Sequence, residues 1–165
     1  MNRNRNPSGH GAGNARITPV TRAVAHIRGS QDFPDLHGTV QFRQMPRGVL
    51  VTAEIVNLPT EGFPKNGIFG FHIHEGHACS GPENNPFADA GGHYNPTGAP
   101  HPFHAGDLPP LFGNNGYAWM EVLTDRFALG EVIGRTVIIH RQPDDFTSQP
   151  AGNAGMRIGC GIIQR

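Results

Sequence analysis

The sequence predicts an all-β domain, an eight-stranded antiparallel Greek-key β-barrel with two long functional loops. Three observations carry that expectation. Apolar and polar residues alternate over short runs. Glycine (23) and proline (15) are abundant in 165 residues and separate those runs. No stretch sustains the 3.6-residue period of a long amphipathic helix. Short strands of this kind, joined by turns and loops, close most readily as a barrel or an immunoglobulin-like sandwich.

Each element can be justified in order. Residues 1–18, "MNRNRNPSGHGAGNARIT", have no period and little apolar content, and are expected to form a disordered tail before a single domain over 19–165. "RAVAHIRG", "GTVQFRQ" and "GVLVTAEIV" then alternate as strands. "MPRG" separates the second from the third as a four-residue hairpin loop, and "LPTEGFPKNG" reads as a longer connection. "IFGFHIHE" continues the alternation, so Phe69, Phe71 and Ile73 share one face while His72 and His74 share the other. From Gly76 to Asn115 the period disappears for about forty residues, a length of loop that is usually functional when it occurs inside a compact domain. Strand signals return in "YAWMEVL", "VIGRTVIIH" and "RIGCGII", with a second loop between the last two.

Thirteen basic and thirteen acidic residues cancel. That balance argues against a nucleic-acid partner or an acidic membrane surface. No apolar run is long enough to span a bilayer, and no hydrophobic region follows the basic N-terminus. A cytoplasmic location is the expectation for the chain as written, with a cell-surface or coat location as the alternative. Cys79 and Cys160 are compatible with two buried thiols or with one bridge.

Seven of the ten histidines lie between His72 and His140. His10, His26 and His37 are solitary and read as ordinary surface or core residues. His77 reads as a solvated loop residue. His72 and His74, on one face of one strand, can approach a single ion, and imidazole suits copper and zinc. "HYNPTGAPHPFHAGD" offers His93, His101, His104 and Asp107, three imidazoles and a carboxylate that satisfy a tetrahedral zinc ion and staple a loop lacking its own structure.

"GFHIHEG", "GGHYNP", "HAGDL", "GRTVIIH" followed by "DD", and "GNAGMRIGCG" stand in an order that resembles the copper,zinc superoxide dismutases, over about residues 21 to 163. The resemblance implies an oxidoreductase that converts superoxide to O2 and H2O2 by alternating reduction and oxidation of a His-bound copper ion, with zinc structural and tuning. It implies His72, His74, His93 and His140 as copper ligands and His93, His101, His104 and Asp107 as zinc ligands. His93 would bridge the ions and act in catalysis together with Arg157, the arginine beside copper. The same resemblance makes Asp144 the carboxylate that links His72 to His101, and pairs Cys79 with Cys160 in a disulfide. A homodimer is compatible with it. The competing readings are a non-catalytic copper/zinc-binding or copper-delivery protein, and a metal-stabilised structural or coat protein.

Two departures from the family pattern have consequences. Only two residues separate His101 from His104, and the segment from Asp144 to Arg157 is short and lacks lysine. Electrostatic steering of superoxide is therefore expected to be weaker than in relatives with a full loop. The dismutation rate should fall only gently as salt is added; a steep fall would contradict this expectation.

Overall fold

The computed structural model describes residues 20–61 and 67–165. Among these, nine strands form: β1 (Arg22–Gly29), β2 (His37–Met45), β3 (Gly48–Val56), β4 (Ile68–Phe69), β5 (Phe71–His74), β6 (Leu111–Phe112), β7 (Ala118–Thr124), β8 (Thr136–His140) and β9 (Arg157–Gln164). Seven of them make one antiparallel curled sheet in the order β5-β8-β9-β1-β2-β3-β7, and β4 pairs with β6 apart from it. The all-β expectation holds. The helical content is one four-residue helix, α1 (Leu129–Val132), and a 3-10 turn at Ala88–Ala90. The tail expected at 1–18 lies outside the described residues, as does part of the connection after β3.

Alternation builds the core. Ala23, Ala25 and Ile27 of β1, Val40 and Phe42 of β2, and Val49, Val51, Ala53 and Ile55 of β3 are buried together with Phe69, Phe71, Ile73, Val137, Ile139 and Ile158. A period-two strand places each such set on one side of the sheet, and its removal from water stabilises the fold by roughly 1.5–3 kcal/mol for each large side chain.

Three details differ from the sequence reading. The β2–β3 hairpin is tighter than "MPRG" suggested, because Met45 pairs with Gly48 and only Pro46 and Arg47 turn. "IFGFHIHE" divides at Gly70, since β4 joins β6 while β5 pairs with β8. Gly70 donates its N–H to Gln142 O at 2.8 Å and accepts from His140 N at 2.8 Å, so the chain changes partners there. Finally, β6 is a strand inside the stretch read as loop.

Candidate metal centre

β5 is buried on both faces. Phe71 and Ile73 enter the core while His72 and His74 point the other way, towards the long loop and β8. His140 ends β8 beside them, and His93 is drawn in by an isolated bridge to His74. Another bridge joins His72 to Asp107. Two groups result, His72, His74, His93 and His140, and His93, His101, His104 and Asp107, with all seven residues buried and the ligating atoms of each group within 4.8 Å of one another. His93 belongs to both.

The hydrogen bonds reveal which ring nitrogens are committed. His74 Nδ1 donates to Gly91 O at 2.9 Å and His140 Nδ1 donates to Gly155 O at 3.1 Å. A neutral imidazole carries one N–H, so both Nε2 atoms present lone pairs, and these face each other across 3.2 Å. His72 Nδ1, His93 Nε2 and His101 Nδ1 are buried with no hydrogen-bond partner. Buried nitrogens without partners are costly, and lone pairs turned towards one another are worse. A cation between them removes both costs, so the residues fit copper at the first group.

The second group fits zinc. Asp107 Oδ1 lies 2.7 Å from His93 Nδ1, Asp107 Oδ2 lies 3.1 Å from His101 Nδ1 and 3.3 Å from His104 Nδ1, and His104 Nδ1 lies 3.4 Å from His93 Nδ1. Four ligands about 2.05 Å from a central zinc ion stand roughly 3.3 Å apart in a tetrahedron, which is close to this spacing. The donor set, three imidazoles and one carboxylate, suits the same ion.

Asp144 joins the groups. Its Oδ2 accepts from His72 Nε2 at 2.9 Å and its Oδ1 accepts from His101 Nε2 at 2.9 Å and from Phe146 N at 2.7 Å. Burial opposes ionisation of Asp144, but these hydrogen bonds outweigh it and hold the carboxyl well below its usual range. Burial also disfavours ionisation of Asp107, yet the hydrogen bond from His93 and the nearby histidines lower its pKa on balance. The rings go the other way. Burial lowers His72 to about 4 against the pull of Asp144, and burial with the adjacent His72 lowers His140 to about 3. Burial, His140 and His93 push His74 well below its ordinary value. At neutral pH these three rings are uncharged and available as ligands.

Gly152 makes the Asp144 contact sterically feasible. A Cβ there would come within 2.0 Å of Asp144 Oδ1 and 2.7 Å of His101 Nε2, and its φ of +65° favours glycine in any case.

Arg157, at the start of β9, donates from Nη1 to Phe87 O and from Nη2 to Gly91 O at 2.6 Å. Half-buried, it lines a cleft of about 560 Å3 together with His74, His93, His104, His140 and Pro150. Cys160, three residues on, is bonded to Cys79, which anchors the loop bearing Phe87 and Gly91. Every site residue singled out from the sequence thus converges here. His77 stays apart and exposed, with its Nδ1 donating to Gly134 O at 2.9 Å.

Sequence reasoning missed four contributors. The Gly91 and Gly155 carbonyls orient two rings through backbone atoms, which no residue type announces. Arg126 Nη1 reaches the carbonyls of Pro102, His104 and Asp107 at 3.0, 3.2 and 3.3 Å and so gathers the part of the long loop that carries the second group. Gln149 grips the backbone of His101.

The profile of the family described as Copper/zinc superoxide dismutase (SODC) matches residues 36–163. Superoxide dismutase [Cu-Zn] 2 of Aquifex aeolicus is 37% identical over 125 residues, 67% of this chain and 71% of that protein. Superoxide dismutase [Cu-Zn] of Deinococcus radiodurans is 36% identical over 146 residues, 77% of this chain and 76% of its own. Among solved structures, the Cu/Zn superoxide dismutase from Brucella abortus superposes with a TM-score of 0.74 at 28% identity, covering 87% of this chain and 99% of that one.

Proposed function

The chain belongs to the copper/zinc superoxide dismutase family, and we propose that its metals divide the buried histidines between them: copper on His72, His74, His93 and His140, zinc on His93, His101, His104 and Asp107. The protein is a superoxide dismutase, turning superoxide and protons into O2 and H2O2, with copper and zinc as cofactors. The observation that carries the assignment is His93, which belongs to both groups and has a buried, unpartnered Nε2 facing the first.

Bound copper supplies a one-electron redox couple, which zinc lacks. The protein's own residues do the rest. Arg157 places a permanent charge in the cleft, and its Nε–H and second Nη2–H have no acceptor among the described residues, so they are free to receive a small anion. His93 Nε2, buried and without a partner, is the atom at which this chain would hold a proton for the H2O2 product whenever it is not a ligand. Asp144 fixes the tautomers of His72 and His101 by accepting from the Nε2 of each, leaving both Nδ1 atoms for metal.

The test is metal content measured alongside dismutase activity in wild type and His140→Ala. The expected result is about one copper and one zinc per chain with activity in the wild type, and retained zinc with neither copper nor activity in the variant. An inert copper-loaded wild type would move the site to metal storage, delivery or stability.

For assembly, we read a homodimer through the outer edge of β7. β7 ends its sheet, and Trp119, Leu123 and Tyr117 are exposed on or beside it, with Phe112 of β6 exposed as well. Trp119→Glu should convert the dimer to monomer in sedimentation; a wild type that sediments as monomer at high concentration rejects this assembly. The cancelled charge gives no support for a nucleic-acid partner. Among the described residues no helix is long and apolar enough to cross a membrane. For location we keep the cytoplasm, although the Cys79–Cys160 bridge pulls towards an oxidising compartment, and cell fractionation decides.

A further inference from the structure

We propose that Gln149 is the positioning residue of the zinc group: its side-chain amide seats the backbone of His101 and thereby aims that ring. The inference rests on the assignment of zinc to His93, His101, His104 and Asp107.

Gln149 Oε1 accepts from His101 N at 2.9 Å, and Gln149 Nε2 donates to His101 O at 2.7 Å. One amide thus closes both ends of one peptide-backbone residue, the arrangement that a neighbouring β-strand would otherwise supply. No other hydrogen bond to the His101 backbone exists among the described residues. His101 is 3% exposed, so without Gln149 its N–H and C=O would have little water to turn to.

The segment carrying Gln149 is itself fixed. Asp145 Oδ1 accepts from the backbone N–H groups of Thr147 and Ser148, its Oδ2 accepts from Ser148 Oγ at 2.6 Å, and Ser148 O accepts from Gly152 N at 2.8 Å. The amide therefore projects from a closed turn. The same segment holds the far side of the ring, through Asp144 Oδ1 on His101 Nε2. His101 is clasped at its backbone and at its imidazole by residues five apart in sequence, and its Nδ1 is left pointing at the group, 3.1 Å from Asp107 Oδ2.

This arrangement accounts for how a short loop keeps a zinc ligand in place. The stretch around His101 has neither helix nor strand of its own. Part of its order is borrowed from the β8–β9 connection, through Gln149 on the His101 backbone and Asp144 on its ring, beside the grip of Arg126 on neighbouring carbonyls.

The experiment compares wild type, Gln149→Ala and Gln149→Met, with Gln31→Ala, at an exposed position away from both groups, as control. Met keeps the length of the side chain and removes both hydrogen bonds, which guards against a mere loss of packing. Zinc affinity is measured by chelator competition, and the coordination geometry by the visible bands of Co(II) bound in place of zinc. Both Gln149 variants should bind zinc about tenfold or more weakly and shift the cobalt bands, while Gln31→Ala matches wild type. Wild-type affinity and bands in both Gln149 variants would overturn the proposal and leave the zinc assignment intact. Failure of the wild type to bind zinc or cobalt would overturn the assignment and this proposal with it.

Discussion

Replacing Cys79 and Cys160 together by serine is expected to lower the free energy of unfolding of the metal-free protein by about 4.5 kcal/mol. The bridge joins residues 81 apart, and the figure follows from the loop-closure entropy that such a cross-link removes from the unfolded chain. The effect is large against the stability of an ordinary domain, which is about 5–15 kcal/mol. Denaturant unfolding of the two proteins measures it. A difference below about 1 kcal/mol would show that the loop is held without the bridge. The substitution should also act on the site: once Cys79 is free, Phe87 and Gly91 lose their anchor to β9, and with it Arg157 loses fixed acceptors. Activity at full copper loading should therefore fall in the serine variant.

Asp144→Leu is the second substitution with a large expected effect. It strands two donors, the Nε2–H of His72 and the Nε2–H of His101, inside a region that water does not reach, and takes the acceptor from a third, the N–H of Phe146, which is only partly buried. Each buried donor without an acceptor costs about 1–3 kcal/mol, so the metal-free variant should be less stable by roughly 3 kcal/mol or more. For a chain of this size that corresponds to a melting temperature lower by about 6–12 °C. Affinity for both metals should drop by about 10–100-fold, since one carboxylate orients a ring in each group. If zinc binding weakens and copper binding is untouched, Asp144 serves one group only and the link between them has no energetic meaning.

Much of the fold could be read because burial leaves a period in the sequence. β1, β2 and β3 alternate cleanly, one face of each being in the core. The division between β4 and β5 left no such trace. Phe69, Phe71 and Ile73 are all buried and keep one period across Gly70, while the hydrogen-bond partners change from β6 to β8. Side-chain pattern records which face is dry; it does not record which strand lies alongside. β6 escaped notice because two residues are too few to display any period.

The site divides in the same way. His72, His74, His101, His104 and Asp107 could be picked out because imidazoles and carboxylates show their chemistry in their names and their spacing places them together. Asp144 and Arg157 became legible only through the order of several motifs, since a lone aspartate or arginine is common on any surface. Gln149 and Arg126 could not be found at all. Both work by bonding backbone carbonyls or amides of residues far away in sequence, and that service asks nothing distinctive of the residues served.

The Gly91 carbonyl accepts from His74 on one side and from Arg157 on the other. Ring and guanidinium are therefore not separate parts that selection can adjust one at a time. Any substitution that rotates this peptide changes the aim of the His74 Nε2 proposed for copper and the position of the Arg157 charge in the cleft in a single step. Variation among relatives in the stretch before Gly91 should then be epistatic, with changes tolerated in pairs that would each be harmful alone.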